Sequence, residues 1–140
     1  MRPLSADDLM RIWELAQDQP PLDRALTILA VGLPDITRDA LAEFSLGLRD
    51  SYLLNLREQT LGPDLESHAN CPHCKAGLQF TVRSEDLRLR PLPQPEEPVL
   101  TFEEFTLRFR LPTSRDLAAV AEGDPATRGR RLAERCVEYA

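Results

Sequence analysis

The sequence predicts an α+β protein, because helix patterns and strand patterns occupy different parts of the chain. Residues 1–63 carry apolar side chains at helical spacing, and residues 112–140 do so again. Between them, residues 64–111 contain stretches in which apolar and polar side chains alternate, as in half-buried strands. We therefore predict a bundle of short helices, a knuckle with antiparallel strands followed by a β-hairpin, and C-terminal helices. A chain of 140 residues is long enough to combine these regions in one compact domain.

The composition disfavours several classes of partner. The net charge is −6, and a chain of this sign is repelled by phosphate backbones and by anionic lipid. No apolar run approaches the 18 or so residues that a membrane span requires, and the N-terminus lacks the apolar stretch of a signal peptide. Three cysteines, an odd number, do not suit a secreted disulfide framework. We expect a cytoplasmic protein with reduced thiols that binds neither nucleic acid nor membranes.

The first helix is predicted to begin after Ser5, a residue that favours the N-cap position. Leu9, Ile12, Trp13 and Ala16 follow the i, i+3, i+4, i+7 pattern and form one apolar stripe. We expect this stripe, including Trp13, to be buried in the core.

Three further helices are predicted before residue 63. The second begins at Pro21, and Gly32 suits the position just after its end. Thr37 and Ser45 are N-cap candidates for a short helix and a longer one, and Gly62 ends the longer helix. The apolar residues that we expect to face the core in the second and fourth helices are Leu22, Ala25, Leu26, Leu29, Leu48, Tyr52, Leu53 and Leu56.

The strand region contains two alternating stretches. Leu78, Phe80 and Val82 alternate with polar residues and predict a half-buried strand. Residues 84–98 are rich in proline and charge and predict an extended connector. Residues 99–102 and 105–111 are expected to pair as a hairpin whose turn is Glu103-Glu104.

Two helices are predicted at the C-terminal end, one capped by Thr113 and ended by Gly123, the other capped by Asp124. Leu132, Cys136 and Tyr139 share a stripe of the last helix, so we expect this helix to continue to residue 140. No stop signal follows it, which favours a chain cut from a longer protein.

No catalytic motif is apparent. The chain has two histidines, neither in a nucleophile turn, and it contains no glycine-rich phosphate loop. Four arginines form a basic cluster, which we interpret as a solvated helix face, with docking to an acidic partner as the alternative. These arginines are Arg128, Arg130, Arg131 and Arg135.

Cys71 and Cys74 form a Cys-x-x-Cys pair that permits two hypotheses. A thiol oxidoreductase requires the first cysteine at a helix N-terminus, where the helix dipole stabilises the thiolate. Here a strand pattern follows the pair, and the segment before it is too polar for a buried parallel strand. A zinc knuckle instead places the two sulfurs at a tight turn between antiparallel strands. Gly77 and the strand after it favour this second hypothesis.

A structural zinc site needs four ligands, and this pair supplies two. His68, His73 and Cys136 are the other candidates, although Cys136 lies on an apolar stripe where a buried thiol is the simpler interpretation. We expect the remaining ligands to lie beyond residue 140. Zinc is then bound by the intact protein, and the pair in this chain is left without metal.

Several stretches together resemble a known family. They are Arg49-Asp50, Leu54-Asn55-Leu56-Arg57-Glu58, Leu61-Gly62, Cys71-Pro72-His73-Cys74, Leu78-Gln79-Phe80 and the stretch Phe109-Arg110-Leu111-Pro112-Thr113-Ser114-Arg115-Asp116-Leu117. Over residues 5–140 the chain resembles the baseplate hub assembly chaperone family of contractile, T-even-like phages, in the version found with phage-tail-like contractile injection systems.

The resemblance implies a non-enzymatic role in assembling a tail baseplate or hub, with tail baseplate or hub subunits as protein partners. The alternatives are a structural, zinc-ribbon-like baseplate component and a thiol oxidoreductase that uses Cys71 and Cys74; a zinc ribbon that binds nucleic acid is disfavoured by the net charge. Members of the family continue further and carry a second Cys-Pro-x-Cys, which this chain lacks. Lys75 also stands where the family often has glycine.

Overall fold

A computed structural model describes residues 1–88 and 98–139 and confirms the α+β class. Within these residues the helices are α1 (Ala6–Ala16), α2 (Pro21–Gly32), α3 (Arg38–Ala42), α4 (Leu46–Leu61), α5 (Ser84–Leu87), α6 (Ser114–Ala121) and α7 (Pro125–Cys136). The strands are β1 (Asp64–Asn70), β2 (Gly77–Arg83), β3 (Val99–Phe102), β4 (Phe105–Phe109) and β5 (Val137–Tyr139). Strands β1 and β2 form one antiparallel sheet, and β3, β4 and β5 form a second in that order.

Polar caps set the helix starts at the predicted residues. Ser5 and Asp8 form a reciprocal capping box at α1, and Thr37 and Ser45 each accept a hydrogen bond from the first turn of α3 and α4. Asp124 caps α7 in the same way. Each cap satisfies a backbone N–H that has no partner inside its helix.

The core lies where α2 and α3 meet α4. Its buried residues are Leu26, Leu29, Leu33, Leu41 and Ala42, and Ile36, Ala30, Phe44, Tyr52 and Leu53 pack against them. The rings of Phe44 and Tyr52 stack with their centroids 5.5 Å apart. The leucine spacing of the second helix thus predicted the core face of α2.

Gly32 has a different role from the predicted one. It is the last residue of α2, buried against α4, and a Cβ there would lie 2.6 Å from a Cδ atom of Leu56. The absence of a side chain therefore allows the two helices to approach closely.

The expectation that Trp13 is buried was wrong. Its side chain is 67% exposed, and Leu9 and Leu48 are exposed as well. On α1, the buried residue of the predicted stripe is Ala16, with Ile12 half-buried. The apolar stripe of α1 is wider than the surface of α2 that it contacts, so the side chains of Leu9 and Trp13 at the edge of the stripe remain exposed.

The connector prediction for 84–98 was wrong at its start, where Ser84–Leu87 forms the short helix α5. Residues 89–97 of the predicted connector lie outside the described residues. The predicted turn Glu103-Glu104 is confirmed, since Phe102 and Phe105 are directly opposite each other in the hairpin.

The prediction that the last helix continues to residue 140 was also wrong. Helix α7 ends at Cys136, and β5 then pairs with β4, with Phe109 opposite Val137. The apolar residues of β5 happen to continue the helical spacing of α7. Pairing with the free edge of β4 nevertheless makes these residues a strand. The third predicted region, 112–140, thus joins the strand region through this sheet. Among the described helices, none is both long and apolar enough to cross a membrane.

Replacing Gly32 by alanine should lower the free energy of unfolding by about 1–3 kcal/mol, because the new methyl group overlaps buried Leu56. Gly129→Ala is the matched control: this glycine is inside α7, and a Cβ there meets nothing within 4 Å. The control should raise the free energy of unfolding by up to about 1 kcal/mol. Urea unfolding measures both; equal effects would contradict the close approach of α2 and α4.

Candidate functional site: the knuckle arm and the exposed apolar faces

Strands β1 and β2, with the loop Cys71–Ala76 between them, form a two-stranded arm that we call the knuckle arm. The strands pair along their whole length, from Asp64 opposite Arg83 to Asn70 opposite Gly77. The antiparallel setting predicted for the cysteine pair is therefore present. Most side chains from His68 to Thr81 are exposed, so the outer part of the arm projects into solvent.

Backbone hydrogen bonds close the loop at the tip of the arm. The N–H of Cys71 donates to the carbonyl of Ala76 at 2.8 Å, and the N–H of Lys75 donates to the carbonyl of Cys71 at 2.9 Å. Lys75 has a φ of 60°, a left-handed conformation that glycine adopts without strain. A lysine there shows that the turn is retained at some conformational cost.

The two thiols occupy this closed turn. Cys71 is half-buried and Cys74 is exposed, and neither forms a disulfide. Hydrogen bonds from the backbone N–H groups of Cys74 and then His73 hold the pKa of the Cys71 thiol below its usual value. A lowered pKa favours the thiolate, the form that binds metal ions and also attacks disulfides.

The described residues do not by themselves form a zinc site. Within residues 1–88 and 98–139, no three cysteine, histidine or acidic side chains are grouped so as to hold a metal ion. His68 and His73 are exposed and do not complete the pair. Cys136 is buried at the end of α7, and burial raises the pKa of its thiol. Two thiolates alone do not form the tetrahedral site that zinc takes in structural centres.

The context of Cys71 also differs from that of a thioredoxin-like dithiol. The cysteine follows β1 and enters a turn between antiparallel strands, whereas the redox motif needs a helix N-terminus at this position. Stabilisation of the Cys71 thiolate here comes from the turn itself and not from a helix dipole.

The base of the knuckle arm is fastened to α4. Arg57 donates to the carbonyl of Gly62 and, at 2.6 Å, to that of Asp64. Glu58 accepts a hydrogen bond of 2.8 Å from the buried Ser84 hydroxyl and pairs with Arg88. Arg57 and Glu58 therefore set the direction in which the arm leaves the helical bundle.

The buried carboxylate of Asp116 holds together the C-terminal part of the fold. Asp116, in the first turn of α6, is paired with both Nη atoms of Arg110, at 2.6 and 2.9 Å. Arg135 Nε lies 3.1 Å from the same carboxylate, and the N–H and hydroxyl of Thr113 each donate to it at 3.0 Å. The ion pair with Arg110 holds the pKa of Asp116 well below its usual range, opposed by burial. This single side chain thus connects β4, α6 and α7.

The arginine cluster was predicted to be a solvated face. Arg128, Arg130 and Arg135 are exposed and Arg131 is half-buried, and three of the four also form contacts within the fold. Arg135 pairs with Asp116, while Arg128 and Arg131 donate to carbonyls at the end of α6 at 2.8 Å. These carbonyls belong to Ala121 and Glu122 and lack partners within their helix. Arg130 remains on the surface, 3.5 Å from Glu134. The cluster chiefly joins α7 to α6.

The hairpin β3–β4 exposes an apolar face. Phe102 lies opposite Phe105, and Leu100 lies opposite Leu107, so the four side chains share one side of the hairpin. We call this set the hairpin apolar face. Phe102 is 69% exposed and Phe105 is 65% exposed. Contiguous exposed apolar side chains of this kind mark interaction surfaces.

Helix α1 exposes a second apolar surface, formed by Leu9, Met10 and Trp13. Leu9 and Trp13 are one turn apart, as are Met10 and Trp13. Trp13, predicted to be a core residue, is thus one of the most exposed apolar side chains of the described chain.

Fold and exposed features define a small α+β protein that presents a thiol knuckle and apolar faces on a firmly connected scaffold. A family model described as T4 bacteriophage base plate protein matches residues 15–140. The chain belongs to this family, so the predicted resemblance is confirmed at the level of phage baseplate proteins, and membership implies protein partners in a baseplate. Comparison with curated proteins and with solved structures finds no significant match.

Two features of the site were missed by reasoning from sequence. The hairpin apolar face could have been predicted, because apolar and polar residues alternate in both strands and the two-residue turn places Phe102 opposite Phe105. The second feature, the arginines around Asp116, had no local signal, since Arg135 is 19 residues away along the chain.

Asp116→Asn should lower the free energy of unfolding at pH 7 by about 3 kcal/mol, because it leaves two arginines without their carboxylate. Asp124→Asn, at the exposed cap of α7, is the control and should change stability by less than about 0.5 kcal/mol, since asparagine also caps helices.

The same variant should alter the pH dependence of stability. A lowered folded-state pKa stabilises the fold above the unfolded pKa of about 4, and this contribution is lost as the pH falls below it. The free energy of unfolding of the wild-type protein should therefore fall to that of Asp116→Asn between about pH 5 and pH 2, as measured by urea unfolding at each pH. A stability difference that is independent of pH would contradict the ion-pair account.

Proposed function

We propose that this chain is a non-enzymatic assembly chaperone or accessory protein for the baseplate or hub of a contractile phage tail or phage-tail-like injection system. The observation that carries the proposal is the family match over residues 15–140, taken together with the hairpin apolar face. A protein that guides assembly needs a surface that is apolar enough to bind a subunit and exposed before binding.

The hairpin apolar face supplies the binding energy in this proposal. Burial of a phenylalanine side chain contributes roughly 1.5–3 kcal/mol, so Phe102 and Phe105 together contribute roughly 3–6 kcal/mol, and the rest of the interface supplies the remaining affinity and the cost of association. The two residues are directly opposite each other in the hairpin, and hot-spot residues of binding surfaces commonly cluster in this way.

The edge of β3 sets the orientation in which the subunit binds. Among the strands that the structure describes, β3 is the edge of its sheet, with β4 on one side, and its outward backbone groups can pair with a strand of the subunit. Strand addition fixes the register of the two proteins, and the phenylalanine side chains then select the sequence that is bound.

A resident baseplate component is the alternative within the same family. The two roles differ in the finished particle: a chaperone leaves the assembled baseplate, whereas a structural component stays in it. Mass spectrometry of purified tails therefore distinguishes them, and we expect the chain to be present in assembly intermediates and depleted from finished particles.

Phe102→Ala combined with Phe105→Ala should reduce co-purification with the tail baseplate and hub subunits of the same phage or injection system at least tenfold. The physical reason is the loss of two large apolar contacts, worth more than about 1.4 kcal/mol together. Co-expression followed by affinity purification and quantification of the bound subunit measures the effect.

Thr101→Ala combined with Thr106→Ala is the matched control, because these residues lie opposite each other on the other side of the same hairpin. Both are exposed, and their loss should leave binding within about twofold of wild type. Circular dichroism checks that both double variants are folded. Capture of no tail subunit by the wild-type chain would refute the proposal.

A further inference from the structure

We propose that the segment bound by the hairpin apolar face is an extended stretch of the tail subunit in which alternating apolar side chains are followed by lysine or arginine. The basic side chains pair with Glu103 and Glu104 at the turn of the hairpin, and the apolar ones pack against Phe102 and Phe105. This inference rests on the proposed function and specifies the chemistry of the segment that is bound.

The hairpin apolar face carries no charged side chain and selects apolar residues. Phe102 and Phe105 are flanked on the same side by Leu100, which is 58% exposed, and by Leu107. A segment that pairs with β3, an edge among the described strands, presents every second side chain to this face. Those side chains must be apolar, because a polar group that is buried without a hydrogen-bonding partner costs free energy.

The acidic turn of the hairpin lies at the end of this face. Glu103 and Glu104 join Phe102 to Phe105, and both are exposed. Within residues 1–88 and 98–139, neither carboxylate has a hydrogen bond or an ion pair with another side chain. Two adjacent negative charges beside an exposed apolar surface are complementary to a partner that combines apolar and basic residues.

The cations nearest in sequence lie at the other end of the hairpin. Arg108 is opposite Val99, and Arg110 is paired with the buried Asp116. Four residues of extended chain, the separation of Glu104 from Arg108, span about 13 Å. The Debye length at physiological ionic strength is only about 8 Å. These cations therefore offset little of the negative potential at the turn, which attracts a lysine or arginine of the partner.

The test uses the full chain, isotopically labelled, and two synthetic peptides of about ten residues as probes, a length that spans the hairpin strands. The peptides share the same alternating valine and threonine residues and end either in a pair of lysines or in a pair of glutamates. Two-dimensional NMR titration measures each dissociation constant and locates the residues that are perturbed. We expect the lysine peptide to perturb residues 99–107 and to bind at least about tenfold more tightly than the glutamate peptide.

A pair of charge-removing variants separates the turn from the overall charge of the chain. Glu103→Gln combined with Glu104→Gln should weaken binding of the lysine peptide about threefold to tenfold, since two exposed ion pairs are lost. Glu14→Gln combined with Asp18→Asn is the matched control, because both residues are exposed on or just after α1 and the same charge is removed. This control should leave the affinity within about twofold of wild type.

Glu103→Gly separates binding from stability. The φ of Glu103 is 52°, and a two-residue hairpin turn with a positive φ at its first position favours glycine there. The substitution should therefore raise the midpoint of urea unfolding. It also removes one carboxylate, so the lysine peptide should bind about twofold more weakly or less tightly still. A residue that served only the turn would not produce these opposite effects.

Three results would overturn the inference. They are equal affinity for the two peptides, no binding of either peptide at millimolar concentration, and equal weakening by the turn variant and its control. Capture of a tail subunit tests the proposed function separately. A chain that captures a subunit and fails the peptide test keeps the proposed function and loses the basic segment. A chain that passes the peptide test and captures no subunit loses the proposed function, while its hairpin retains the preference for basic segments.

Discussion

The buried carboxylate of Asp116 is the interaction on which the C-terminal half of the fold depends. It lies where a strand, a helix start and a helix end meet, and it pairs with Arg110 and Arg135 while capping its own helix. Burial of a charge is costly unless it is paired and hydrogen-bonded, and here both conditions are met. With this junction in place, β4 is positioned to accept β5 on one side and to present β3 on the other. The exposed hairpin is therefore mounted on a firm base.

The same division between anchored base and exposed end recurs in the knuckle arm. Arg57 and Glu58 of α4 hold the beginning and the end of the arm, whereas the thiols at its tip contact little besides their own turn. Polar groups thus fix the direction of both the hairpin and the knuckle arm, and apolar side chains or thiols are left at their ends. This arrangement suits a protein whose partners are other proteins, which is what membership of a phage baseplate family implies.

Much of the fold was predictable because its signals are local. Caps such as Ser5 and Asp124, the core spacing of α2 and the antiparallel setting of the cysteines depend on residues within a few positions of one another. The errors came from tertiary context. Trp13 fits a helical stripe, but none of the described elements covers it, and the strand β5 is specified by the free edge of β4 and not by its own sequence. The partners of Asp116 are likewise set by the assembled fold.

In the proposed function, the molecule binds a tail subunit through its exposed hairpin while the scaffold beneath stays unchanged. Hydrogen–deuterium exchange of the chain, free and with a bound baseplate or hub subunit, tests this directly. We predict that the subunit slows exchange in residues 99–107, and that exchange around residues 110–116 and in the core helix α2 is slow in both states. Protection that appears in α2 but not in residues 99–107 would contradict the account.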